Sequence, residues 1–192
     1  VSEQLARDRG AALALLHEWV ASEALRRHAL AVEAGMRAYA EALGEDAEAW
    51  GCVALLHDFD YERHPTLQRH PQDGEPVLAG LGYPDWFREA ILSHADHTAV
   101  PRTTPIRRHL YACDELSGFL HACGLVRPDG LEGLEPRSVR KKLKQRSFAA
   151  GVNRDDVVRG AEEIGRDLDE HIAFVTAALR PIARELGLPH RG

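Results

Sequence analysis

The amino-acid sequence predicts an all-α protein, and three observations carry that expectation. Apolar residues recur at intervals of three and four along nearly every periodic segment, the spacing that lines one face of an α-helix. Alanine and leucine supply most of the apolar mass while aromatic residues make up only 6% of the chain, a balance that favours helix over sheet. Glycine and proline gather between the periodic segments, and no run of strands, internal repeat or low-complexity tract interrupts them. A chain of 192 residues is long enough to bury one sizeable core. The expectation is a single domain, 1–192, of about seven to nine helices.

The elements follow in order. Ser22 caps a helix on which Leu25, Ala29, Val32, Met36, Tyr39 and Leu43 share a face and which Gly44 ends. Asp46 caps the next, with Trp50, Val53 and Ala54 as its apolar stripe. The run FDYERHPTLQRHPQDG is polar and carries two prolines and a glycine, so it reads as a loop leading to a short helix over 75–81. Pro84 opens a helix carrying Phe87, Ala90 and Ile91, and Pro105 another, on which Ile106, Leu110 and Cys113 face the same way as Asp114 and Ser117. Beyond the connection GLVRPDGLEGLEP lies the basic segment RSVRKKLKQR. Asn153 then caps DDVVRGAEEIG, and Asp167 starts a long amphipathic helix through Ile172, Val175, Leu179 and Leu186, with Pro181 as a kink.

Charge and composition narrow the function. A formal net charge of -6 gives no reason to expect a nucleic-acid partner. Cys52, Cys113 and Cys123 are odd in number and form no CxxC, which suggests neither a disulfide framework nor a thiolate zinc site. The first ten residues, VSEQLARDRG, are polar, and no apolar run approaches the roughly 20 residues that span a bilayer. A cytoplasmic protein with no membrane partner is expected, with a homo-oligomer left open.

The chemistry is carried by residues in the order His28, His57-Asp58, Asp114. His28 falls three after Leu25 and four before Val32, and His57 continues the Trp50–Val53–Ala54 stripe, so both face the core. Asp114 stands beside Cys113 at helical phase with Leu110, where a carboxylate loses much of its water and needs a positive partner. That partner is either an arginine, such as Arg107 or Arg108, or a divalent cation. Imidazole and carboxylate together suit Mn, Fe, Co, Ni or Zn. Neighbours on a helix differ in direction by about 100°, so His57 and Asp58 reach one ion only if they lie near a helix end or straddle the apolar stripe, and FDYERHP does lack a continuing apolar phase.

The segments LLHDFDYERHP, HADHTAVPR, DELSGF and RSFAAGVNR, with His28 ahead of them, resemble the HD superfamily of metal-dependent phosphohydrolases, and within it the group of predicted HD-domain hydrolases. The core of the resemblance spans roughly residues 22–125, with the helical segment of about 136–190 expected to pack on it. It implies an all-α fold with His28, His57, Asp58 and Asp114 as metal ligands. It also implies His70 and His94 as further ligands where two ions share Asp58. Departures from the pattern are that His70 comes soon after Asp58, and that Ser93 and Ala95 flank His94 where paired histidines often occur. His97 is expected beside the site or at the surface, and His64, His109 and His121 in surface or core roles.

Such a site, holding one or two divalent ions, predicts a metal-dependent phosphohydrolase acting by attack of a metal-bound hydroxide on a small phosphorylated compound, foremost a nucleotide. Asp58 and Asp60 are the expected catalytic carboxylates, Asp60 orienting the water unless it is simply a solvated loop residue. Lys141, Lys144 and Arg146 are the expected cations for the substrate's phosphate, with Arg102 and Arg127 behind them; the alternative for that basic run is a solvated helix face. Two other functions fit the same ligands: a di-iron oxygenase of HD fold, and a non-catalytic nucleotide-binding regulatory module. No Walker A, GxGxxG or GxSxG motif supports an ATP-driven machine or a serine hydrolase.

Overall fold

The computed structural model describes residues 2–189, and among them the regular elements are all helical, as expected. Val1 and residues 190–192 of the expected domain lie outside the described residues. The helices are α1 (Ser2–Leu5), α2 (Arg9–Trp19), α3 (Glu23–Leu43), α4 (Ala47–Leu56), α5 (Glu75–Leu81), α6 (Asp85–Leu92), α7 (Pro105–Leu125), α8 (Pro136–Leu143), α9 (Arg154–Glu163) and α10 (Leu168–Leu179). Ten exceed the expected number because α1 is a single extra turn at the start. None is long and apolar enough to cross a membrane.

Most boundaries fall where the capping chemistry puts them. Ser22, Asp46, Asn153 and Asp167 each accept backbone N–H bonds from the first turn of their helices, which would otherwise leave those donors unpaired. Gly44 ends α3 in the left-handed conformation. The expected helix through Leu186 is shorter than the apolar spacing suggested. Pro181 has no N–H to donate and its ring crowds the preceding turn, so α10 stops at Leu179 and a 3-10 turn, Arg180–Ile182, follows. Leu186 still reaches the core, fully buried, on the chain beyond that turn.

The molecule is organised around α4, which is buried on every side from Ala49 to Leu56. Leu55 and Leu56 are fully enclosed, each burial stabilising by roughly 1.5–3 kcal/mol. Helices α2, α3 and α6 surround α4; α3 also packs on α7 and α10, and α9 lies along α7. A buried polar chain ties three of these together: Tyr39 of α3 bonds His171 of α10 (2.7 Å), whose Nε2–H donates to the carbonyl of Ala112 in α7 (2.9 Å). Burial lowers the His171 pKa to about 4, so the ring is neutral and its Nδ1 accepts from the Tyr39 hydroxyl. The cysteines are free and buried.

The contact between α9 and α7 depends on Gly160. A β-carbon at that position would lie 2.7 Å from the Ala112 α-carbon, backbone that cannot move aside. Gly160→Ala should therefore destabilise by about 1–3 kcal/mol in denaturant unfolding, the scale of core overpacking. Gly80→Ala, on an exposed part of α5 with nothing near the new methyl, should stabilise slightly, by about 0.5–1 kcal/mol.

Candidate metal centre

Two helices, two helix ends and one loop bring six side chains together. His28 projects from the second turn of α3 and Asp114 from the middle of α7. His57 and Asp58 follow the last residue of α4, so the helix does end where two adjacent ligands require it. His94 lies two residues beyond α6, and His70 comes from the loop between α4 and α5. They form two groups, His28–His57–Asp114 and Asp58–His70–His94, each with its ligand atoms close enough to hold one metal ion.

The Asp58 carboxylate stands between the groups. Its Oδ2 is 3.4 Å from His57 Nε2 and 3.8 Å from His28 Nε2; its Oδ1 is 3.2 Å from His70 Nε2 and 3.4 Å from His94 Nε2. On the first side, His28 Nε2 lies 3.0 Å from Asp114 Oδ1 and 3.2 Å from His57 Nε2. The arginine alternative for Asp114 fails: Arg107 pairs with Glu89, and Arg108 bonds the carbonyl of Arg102.

Local structure fixes which nitrogen each ring presents. The last carbonyls of a helix lack an intrahelical donor. His57 Nδ1–H donates to Ala54 O (2.7 Å) and His94 Nδ1–H to Ile91 O (2.5 Å), both three residues back in the last turn. A carbonyl can only accept, so Nδ1 carries a proton and Nε2 is the nitrogen turned to the centre. His70 is held in the same way by Asp60, whose Oδ1 accepts from Nδ1 at 2.8 Å. This pattern of outward Nδ1–H and inward Nε2 is how metal-binding histidines are oriented.

The charges point the same way. Burial opposes protonation of His57, yet Asp58 and Asp114 outweigh it and raise its pKa to about 10. Burial likewise opposes His70, which Asp58 and Asp60 raise to about 9. Against burial, which would raise them, the surrounding imidazoles hold the pKa of Asp58 well below the usual range and lower that of Asp114 too. The two carboxylates thus demand positive charge, and among the described residues their ion-pair partners are histidines. A divalent cation answers that demand, and the donor set fits it.

Two expected roles change. Asp60 neither lines the cavity nor is solvated: it is 1% exposed, and its place is behind His70. A β-carbon on Gly74 would come within 2.8 Å of the Asp60 side chain, so only glycine leaves room for this carboxylate. Lys141, Lys144 and Arg146 do not line the cavity over the metal ligands. Helix α8 packs on α10 and α7, and the chain returns to the cavity only at Val152 and Asn153; Lys144 and Arg146 line a neighbouring cavity sharing those two residues, and Lys141 a third beside Cys123. Arg102 is engaged by Glu163 and Asp96, and Arg127 by the carbonyls of Gly130 and Glu132. His97 is exposed at the rim, bonding the His70 carbonyl, while His109 and His121 bond the carbonyls of Pro105 and Leu186, and His64 lies beside Trp19.

The cavity itself measures about 580 Å³, with His28, Asp58, His70, His94 and Asp114 among its lining residues. Across from them stand residues the sequence reading did not single out: Asp96, Tyr111, Glu115, Asp156 and Arg159. Tyr111 precedes Asp114 by three residues and shares its face of α7, a signal the sequence did contain. Burial, then the Asp114 charge, raises the Glu115 pKa to about 7.

An all-helical bundle enclosing two His/Asp groups under an open cavity defines a class of helical metal-site protein. Within that class, residues 25–118 match the family model of the HD domain, and the His/Asp groups are those an HD-type metal site would use. HD domains bind divalent metals and are generally metal-dependent hydrolases. No curated protein and no solved structure matches the chain.

His57→Ala and Asp58→Ala should each remove bound divalent metal, measured by elemental analysis after desalting. Gly74→Ala should displace Asp60 from His70 and weaken metal binding about 10- to 100-fold in a chelator competition while the fold persists. Full retention of metal by all three would show that these ligands are misassigned.

Proposed function

We propose that the protein is a metal-dependent phosphohydrolase that holds two divalent ions on either side of Asp58 and cleaves a small phosphorylated compound, foremost a nucleotide. The observation that carries this reading is the division of the Asp58 carboxylate, one oxygen toward His28 and His57 and the other toward His70 and His94. When bound, such a pair neutralises charge on a phosphoryl group and lowers the pKa of water toward neutrality, supplying both electrophile and nucleophile.

The chain's own residues do the positioning. His57 and His94 are locked by carbonyls of their own helix ends, and His70 by Asp60, so three ring nitrogens aim inward without reorganisation on binding. Asp58 and Asp114 contribute two negative charges against the four of two divalent ions, leaving about two positive charges to meet a phosphoryl dianion. Tyr61, Leu67 and Val152 line the cavity beside these ligands.

The test is a screen of nucleotides and other small phosphate esters with Mn, Fe, Co, Ni or Zn. The expected result is phosphate release that depends on added metal and disappears in Asp58→Ala. The loaded chain should hold two ions, falling to one in His70→Ala or His94→Ala. Oxygen uptake with iron and no phosphate release would favour the di-iron oxygenase; tight nucleotide binding without turnover under every metal would favour the regulatory module.

A further inference from the structure

The cavity's far wall constrains what the phosphate is attached to. Among the described residues Arg159 is the only lysine or arginine that lines it, and two of its three guanidinium nitrogens are already engaged: Nε donates to the Tyr111 hydroxyl (2.6 Å), and Nη2 to Asp96 (2.5 Å) and Asp156 (2.6 Å). The Tyr111 hydroxyl in turn donates to Asp156 (2.7 Å). Arg102, the second cation on Asp96, is itself matched by Glu163. Outside the metal ligands, then, the wall presents three carboxylic residues, Asp96, Glu115 and Asp156, against one arginine. It offers many hydrogen-bond acceptors and, among the described residues, no lysine or arginine without a carboxylate partner, with His97 at its rim and Tyr61, Leu67 and Val152 as its apolar part.

We propose that this cavity selects monophosphate esters of an uncharged, hydroxyl-bearing group and rejects nucleoside di- and triphosphates. The inference rests on the phosphohydrolase reading above and sharpens its substrate class. A single phosphoryl group is neutralised at the metal ligands. Every additional phosphate would have to lie along the Asp96–Asp156 wall, where like charge repels it and the charge of Arg159 is already shared by two carboxylates. Sugar hydroxyls, which donate hydrogen bonds, meet acceptors there instead. The cations that could hold a polyphosphate tail, Lys144 and Arg146, are in the neighbouring cavity.

The experiment uses the metal-loaded full chain, in excess free Mn²⁺, with the mono-, di- and triphosphates of each common nucleoside and a set of sugar phosphates. The expected result is a kcat/KM for the best monophosphate exceeding that of its triphosphate by about a hundredfold. In Asp96→Asn/Asp156→Asn, which keeps shape but removes both negative charges, the triphosphate-to-monophosphate ratio of kcat/KM should rise about tenfold. Turnover confined to sugar monophosphates would equally support the proposal. A triphosphate as good as the monophosphate would overturn it while leaving the phosphohydrolase reading intact, and loss of that triphosphate activity in Lys144→Ala/Arg146→Ala would place the tail in the neighbouring cavity. Absence of phosphate release from every compound would overturn both.

Discussion

One carboxylate, Asp58, is the constraint from which the rest of the site follows. It sits where α4 has just ended, among four imidazoles, with each oxygen turned to a different pair. A buried carboxylate so placed is costly unless positive charge surrounds it. Protonated histidines can supply that charge, but their geometry serves another purpose: three of them spend the Nδ1 proton on a carbonyl or carboxylate behind the ring and leave Nε2 for the centre. The arrangement is built to receive cations rather than merely to tolerate a buried acid.

The fold serves this by ending helices at the right places. Because α4 is apolar on all sides, its position in the bundle is fixed by burial alone, and its C-terminus delivers His57 and Asp58 without freedom to swing. The orphan carbonyls that every helix end leaves are converted into anchors for the histidines of α4 and α6. On the opposite side, Gly160 lets α9 approach α7 closely enough for Asp156 and Arg159 to face the ligands. Packing and chemistry are thus set by the same few contacts.

Much of this was legible in the sequence because it rests on local rules. Helical spacing and capping residues located α3, α4, α5 and α9, and the phase of His28, His57 and Asp114 on apolar stripes foretold that they would meet. His70 and His94 could be named only through family resemblance, since a loop histidine has no periodicity to place it. What escaped was tertiary. Nothing local says that Asp60, in a polar run, is buried behind His70, because the space for it is made by Gly74. Nor does the density of charge in RSVRKKLKQR say which way α8 faces; the cation that reaches the cavity is instead a single arginine on α9. Pro181 reads in the sequence as a kink, whereas its missing donor ends the helix.

The most direct test of Asp58 as the shared ligand is anomalous diffraction from crystals of the chain loaded with manganese or iron, collected at the metal edge. Two peaks flanking Asp58, one toward His28, His57 and Asp114 and the other toward His70 and His94, with the carboxylate touching both, is the result this account predicts. One fully occupied peak among His28, His57 and Asp114, with His70 and His94 making no metal contact under metal-replete conditions, would contradict it.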